Sequence, residues 1–360
     1  MFLVFMIIFH RLLSIEMITN IYLMKFKTFV SLCLVAGALL VYAKTSRAQA
    51  VAPVPVGSIE SLDPAFDVLV SPTAKIEVIA NGFEWIEGPV WVEKHKMLLA
   101  SDVLKNIVYK WTAEKGKEVY LQPSGYTQSG TRGNELGSNG LALDAKGRLV
   151  LAQHGDRRIA RMEAGLGKPK PEFTTLAGDY EGKKFNSPND MSIASDGTIY
   201  FTDPPYGLEN GVNDPLRELY FHGVYKLKDG KVTLMTDTLN RPNGIALFPD
   251  GKRVIVANSD GKTPYLYVYD IDQNGDFKNG RIFIDSRDAF GNEGGAFDGL
   301  KIDLKGNVFA AGSGGICVFD KDGKALGRIK ISGRTSNCAF GNNYKTLFIT
   351  ADDYLLKIEL

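Results

Sequence analysis

Six polar residues stand at matching places along this chain: Glu87, Asn139, Asn189, Asn243, Asp298 and Asn337. Two carboxylates and four carboxamides, with no His or Cys among them, make an oxygen-only donor set. Hard divalent cations such as Ca²⁺ and Mg²⁺ prefer such donors. A carboxylate beside a bound ion can also take a proton from water, so the set could support hydrolysis as well as binding. An Asn-Gly or Asp-Gly pair taken singly marks a turn. Recurrence in register at six places, acidic at two and amide at four, asks for more than turn chemistry.

Residues so far apart meet only if the chain repeats a structural unit. Segments 139–152, 189–202, 243–258 and 298–311 share one template of a polar residue, an alternating strand, a turn and a second strand, and the segments at 87 and 337 are weaker copies. The leading residues are spaced by 52, 50, 54, 55 and 39. Period-2 alternation broken by Asp-Gly or Lys-Gly turns predicts hairpins, and no long stretch has helical periodicity. Tyr265–Ile271 and Gly223–Leu227 read as third strands of their units. Repeats of roughly 40–50 residues with about four strands each are propeller blades. The expected fold is therefore all-β, a six-bladed β-propeller with a central metal site. The strand-like ends, Ile76–Ala80 and Tyr354–Leu360, predict ring closure by pairing the first strand with the last blade. In such a ring the starts of the innermost strands converge at one mouth of the central channel.

Ahead of the repeats, Lys25 and Lys27 precede an apolar run at Phe29–Val41, and Ala48-Gln49-Ala50 follows it. This is the order of a secretory signal peptide. The expectation is a leader over residues 1–50, with Met24 as the true start and cleavage after Ala50, then a lead-in segment at 51–73 and the propeller at 74–360. A membrane anchor is the weaker reading, because the run is shorter than the ~20 residues of a bilayer span. Export places the mature protein in the periplasm or outside the cell. Loss of residues 1–50 would shift the formal net charge from +1 to −3. A balanced or mildly acidic chain has no electrostatic reason to bind nucleic acid or an anionic membrane surface. Cys317 and Cys338 then remain, either as one disulfide or as two buried thiols.

Four stretches carry a family resemblance: Ile86–Trp91, Ser187–Asp190, Arg241–Ala246 and Glu293–Gly299. Together they resemble the gluconolactonase/regucalcin family, and more distantly diisopropyl fluorophosphatase. The runs Gln153–Arg158 and Phe201–Gly207 resemble the bacterial gluconolactonases most. The resemblance implies a six-bladed calcium-binding propeller whose metal ligands fall on Glu87, Asn189, Asn243 and Asp298. It also puts Asp298 at the position of the general base. The implied cofactor is Ca²⁺, with Mg²⁺ or Zn²⁺ as other divalent candidates, and the implied reaction is metal-dependent hydrolysis of a sugar lactone. The implied partner is accordingly a small-molecule sugar lactone. Asn139, Asp190 and Asn337 are then candidates for binding substrate hydroxyls. His154 closes the second strand of its unit at the same mouth and reads either as a structural histidine or as a further substrate contact. Ser187 stands where regucalcin-like members have an arginine that holds the sugar, which leaves the particular lactone open. Ala351 stands in the region of a fluorophosphatase histidine, which weakens the alternative of a phosphotriesterase. A binding propeller with a structural calcium is the second alternative. The run Asp270–Asp276 opens like a calcium loop but has Arg281 at the position that needs a bidentate Glu, so it reads as a hairpin turn.

Overall fold

A computed structural model of the chain describes residues 57–130, 135–312 and 314–360, so the stretch read as a signal peptide and its expected cleavage point lie outside the described residues. The strands that alternate in the sequence form six antiparallel sheets, the blades, numbered 1 to 6 along the chain. Blade 1 runs Ile86–Val92, Met97–Asp102, Ile107–Thr112 and Gly116–Leu121 from the inside outward. The innermost strands of blades 2 to 6 are Ser138–Leu143, Met191–Ile193, Pro242–Leu247, Leu300–Ile302 and Thr335–Gly341. Blade 6 receives its fourth strand from Glu77–Asn81, which pairs with Tyr354–Glu359 and closes the ring. Residues 57–61, within the stretch read as a lead-in, form a fifth strand on the outer edge of blade 5 and cover it.

The core lies between blades because the middle strands are apolar on both faces. In Met97–Asp102, Leu98 and Ala100 pack toward blade 6, whereas Met97 and Leu99 pack toward blade 2. In blade 2, Leu149 and Leu151 face blade 1 while Val150 and Ala152 face blade 3. This is the period-2 direction of strand side chains, applied to a sheet sandwiched on both sides. Six apolar clusters, one per pair of adjacent blades, result. Each fully buried Leu, Ile or Phe contributes about 1.5–3 kcal/mol. The helix Pro64–Asp67, capped by Asp63, inserts Phe66 into the cluster between blades 5 and 6.

Near the axis the contacts become polar. Ser336 Oγ donates to the Ile86 carbonyl (2.6 Å), joining blade 6 to blade 1. Gly140 N donates to Asn189 O (2.7 Å), and Gly244 N to Asp298 O (3.2 Å). These bonds explain the Gly that follows a ring residue. A Cβ at Gly244 would lie 2.4 Å from the Asp298 carbonyl oxygen. At Gly88 it would lie 1.9 Å from Asn139 O, and φ there is +51°. The pairs are thus not turns but points where one blade's backbone touches the next.

Cys317 and Cys338 are separate buried thiols, which decides between the two expected states, and burial pushes each up to about 12. The calcium-loop-like run is a hairpin turn in which Asp272 Oδ1 accepts from Asn274 N and Asp276 N, both at 2.9 Å.

Candidate active site

The innermost strands are irregular where their ring residues sit. Register shifts fall between Glu87 and Val90, between Ser138 and Leu141, and between Pro242 and Ile245. Such bulges re-aim a side chain that a regular pleat would bury between sheets. The loops entering these strands are held by the residue that ends the second strand of the same blade. Asp102 accepts from Glu84 N (3.1 Å) and Trp85 N (3.3 Å), just before Glu87. Asp203 accepts from Asn186 N (2.8 Å) and Ser187 N (2.7 Å), just before Asn189. Asn258 Oδ1 accepts from Arg241 N (2.9 Å), just before Asn243. Burial pushes Asp203 up to about 7 even against those two N–H groups.

Glu87, Asn139, Asn189, Asn243 and Asp298 converge on one cavity of about 400 Å³. Glu84, Trp85, Leu104, Glu135, Tyr206, Ser259 and Arg334 complete its lining. Glu87 is buried, with Oε1 accepting from Trp85 Nε1 and Oε2 from Gly88 N, both at 3.2 Å. Asn243 Nδ2 donates to Ser259 Oγ (3.0 Å), and Ser259 Oγ in turn donates to Phe297 O, which precedes Asp298.

The other three substrate candidates sit behind the cavity wall. Asn337 Oδ1 accepts from Lys301 Nζ (3.1 Å) and Cys338 N (2.8 Å). Asp190 Oδ2 lies 3.9 Å from the same Lys301 Nζ, and Asp190 Oδ1 accepts from Met191 N (2.8 Å). Lys301 thus joins blades 3, 5 and 6 inside the channel. His154 is fully buried, with Nε2 3.5 Å from Asn189 Nδ2 and Nδ1 3.1 Å from Glu135 Oε2.

The cavity is electrostatically unbalanced. Burial first, then repulsion from Asp298, Glu135 and Asp190, holds the Glu87 carboxyl well above the usual carboxylate range. Burial, then Glu135 and Asp190, pushes Asp298 up to about 8, against hydrogen bonds from Asn243 and Gly299 N. The cation nearest the rim, Arg334, is spent on Asp352 (3.0 Å) and on the face of Trp85 (4.5 Å to the ring centroid). Among the described residues no three His, Cys, Asp or Glu side chains gather as a metal cluster. The donor set is instead a buried carboxylate, Glu87, and a half-buried one, Asp298, completed by carboxamides, the mixture that suits a hard divalent cation. Two such carboxylates sharing a cavity are stabilised by a dication between them, so the residues fit the ion.

Of the lining residues, Glu84, Trp85, Leu104, Glu135, Tyr206, Ser259 and Arg334 are not marked as site residues by the sequence. Ser259 and Leu104 stand one and two residues past the end of a second strand, and Tyr206 stands three past Asp203. Second strands return to the same mouth as the ring residues, and that was the available signal. Glu135 and Arg334 carry no comparable mark.

Fold and cavity together define a six-bladed propeller with an acidic, oxygen-lined pocket at one mouth of its channel. The SMP-30/Gluconolactonase/LRE-like region matches residues 85–353, and the chain belongs to that family. It is 38% identical to a gluconolactonase of Zymomonas mobilis over 312 residues, covering 84% of this chain and 86% of that protein. A gluconolactonase structure from Xanthomonas campestris superposes with a TM-score of 0.72 at 30% identity, over 87% of this chain and 99% of that one. A calcium-binding regucalcin from Agrobacterium tumefaciens has the same fold, with a TM-score of 0.62 at 18% identity, over 79% of this chain and 93% of that one.

Proposed function

We propose that this protein hydrolyses a sugar lactone such as D-glucono-1,5-lactone to the aldonic acid, with one divalent cation, Ca²⁺ first among the candidates, held by Glu87, Asn189, Asn243 and Asp298. The observation that carries the reading is the convergence of both ring carboxylates with three carboxamides on one cavity, in a chain related to gluconolactonases over most of its length.

Lactone hydrolysis needs a polarised carbonyl, an attacking water and stabilisation of the tetrahedral oxyanion. A bound divalent cation supplies Lewis acidity for the first and third of these needs. Asp298 takes the proton from the attacking water as the general base. Asn139 faces the cavity and hydrogen-bonds substrate hydroxyls. Trp85, with Arg334 stacked on it, forms the rim against which the sugar ring lies. Asp190, Asn337 and His154 support these groups from the layer behind.

The test is acid release from D-glucono-1,5-lactone, corrected for spontaneous opening, beside a panel of aldonolactones and an aryl phosphotriester. Lactone turnover that disappears with EDTA and returns with Ca²⁺ is expected. Preference for the phosphotriester would transfer the assignment to that class, and turnover of neither class would favour a binding propeller.

The proposal includes export to the periplasm or beyond, supported by the charged, apolar and small-residue order of residues 25–50. Intact mass of protein from the native host should correspond to a start at Val51. Recovery of residues 29–50 in a membrane fraction would overturn it.

A further inference from the structure

Asn189 has a problem that the carboxylate ligands do not. Its amide ends in one oxygen and one NH₂ group, and only the oxygen can face a cation. Some neighbour must therefore select which way the amide points.

That neighbour is His154. Its Nε2 lies 3.5 Å from Asn189 Nδ2, and an Nε2 that carries no proton is an acceptor for that amide N–H. A neutral imidazole then carries its proton on Nδ1. Nδ1 has no hydrogen-bond partner of good geometry, and the group facing it is Glu135 Oε2 at 3.1 Å. The ring has little room to turn, because it is fully buried and the Gly207 backbone is packed on it: a Cβ at Gly207 would lie 2.7 Å from His154 Cβ. Glu135 is the carboxylate that faces Nδ1, so it favours the proton there and leaves Nε2 to face the amide NH₂.

We propose that Glu135 is a positioning residue: through His154 it holds the Asn189 amide with its oxygen toward the cavity, so that the ligands from four blades meet the ion correctly aligned. The inference rests on the reading of Asn189 as a metal ligand. It places a carboxylate–histidine relay one residue further from the ion than in sites where the histidine itself is the ligand.

The experiment is calorimetric Ca²⁺ titration of chelator-stripped full-length mature protein. Variants are Glu135→Ala, Glu135→Gln, Asn189→Asp and the Asn189→Asp/Glu135→Ala double substitution. Glu135→Ala should lower Ca²⁺ affinity about 10–100-fold, the usual effect of losing a group that orients a ligand. Glu135→Gln should recover most of the loss, because an amide oxygen also accepts from Nδ1–H. In the Asn189→Asp background the loss from Glu135→Ala should nearly vanish, since either oxygen of an aspartate can face the ion. Equal losses in Glu135→Gln and Glu135→Ala, undiminished in the Asn189→Asp background, would instead make Glu135 a ligand or a plain electrostatic contributor and overturn the proposal. Unchanged affinity in Glu135→Ala overturns it as well. A wild type that takes up no Ca²⁺ is a different result, which refutes the metal site itself.

Discussion

Asp298→Asn should lower lactone hydrolysis by about 10²-fold or more at saturating Ca²⁺, the scale of losing a general base. The substitution keeps the size of the side chain and one ligand oxygen, while an amide cannot take a proton from water. Without a cation, burial and the charges of Glu135 and Asp190 raise the affinity of Asp298 for a proton to about 8, as burial and neighbouring charges also raise that of Glu87. Its backbone is pinned on both sides: Asp298 N donates to Ala311 O (2.9 Å) and Asp298 O accepts from Gly244 N (3.2 Å). An altered side chain therefore changes the chemistry with little room to change the frame. The measurement is kcat together with Ca²⁺ affinity for the same preparation. Activity within threefold of wild type would remove Asp298 from the role of base and leave Glu135 as the next carboxylate in the cavity to test.

Glu87→Gln should have the larger effect on the ion. Ca²⁺ affinity follows the charge count of the ligands, and this change removes one of the two formal charges in the proposed cage. A loss of tenfold or more is expected, with a lower melting temperature in Ca²⁺. The pH behaviour provides the second readout. Both carboxyls bind protons more tightly in the folded protein than in the unfolded chain. Without metal their contribution to stability is therefore complete below the unfolded value near 4 and is lost as pH rises through about 8, the value for Asp298. Chelated wild type should melt at a lower temperature at pH 8 than at pH 5, and Ca²⁺ should reverse that difference while releasing protons to the buffer. In chelated Glu87→Gln the fall between pH 5 and pH 8 should be smaller, because one of the two repelling carboxyls is gone. Unchanged Ca²⁺ affinity in this variant would rule out the cage.

The repeat was legible because it is local. Alternation, turn residues and a spacing near fifty residues are properties of single blades, and a blade apolar on both faces has to be covered on both faces, which in turn requires a ring. Ring closure by Glu77–Asn81 could be read for the same reason, since a last unit short of one strand must borrow it from the other end. Convergence of Glu87, Asn139, Asn189, Asn243 and Asp298 follows from their equal places in equal units.

Equal places do not ensure equal directions. Asn337 accepts from Lys301 inside the channel and Asp190 lies 3.9 Å from the same ammonium, and no repeat pattern announces a lysine that only blade 5 contributes. The Gly after Asn243 suggested a turn when read alone; only the approach of the neighbouring blade's carbonyl, too close for any Cβ, gives the actual reason. Glu135 and Arg334 reach the cavity from loops outside the template, and His154 acquires a task only from what lies on either side of its ring. Blade geometry is written in short-range periodicity. Which atoms then face one another across the axis depends on contacts between units that are tens of residues apart, and these form only when the ring closes.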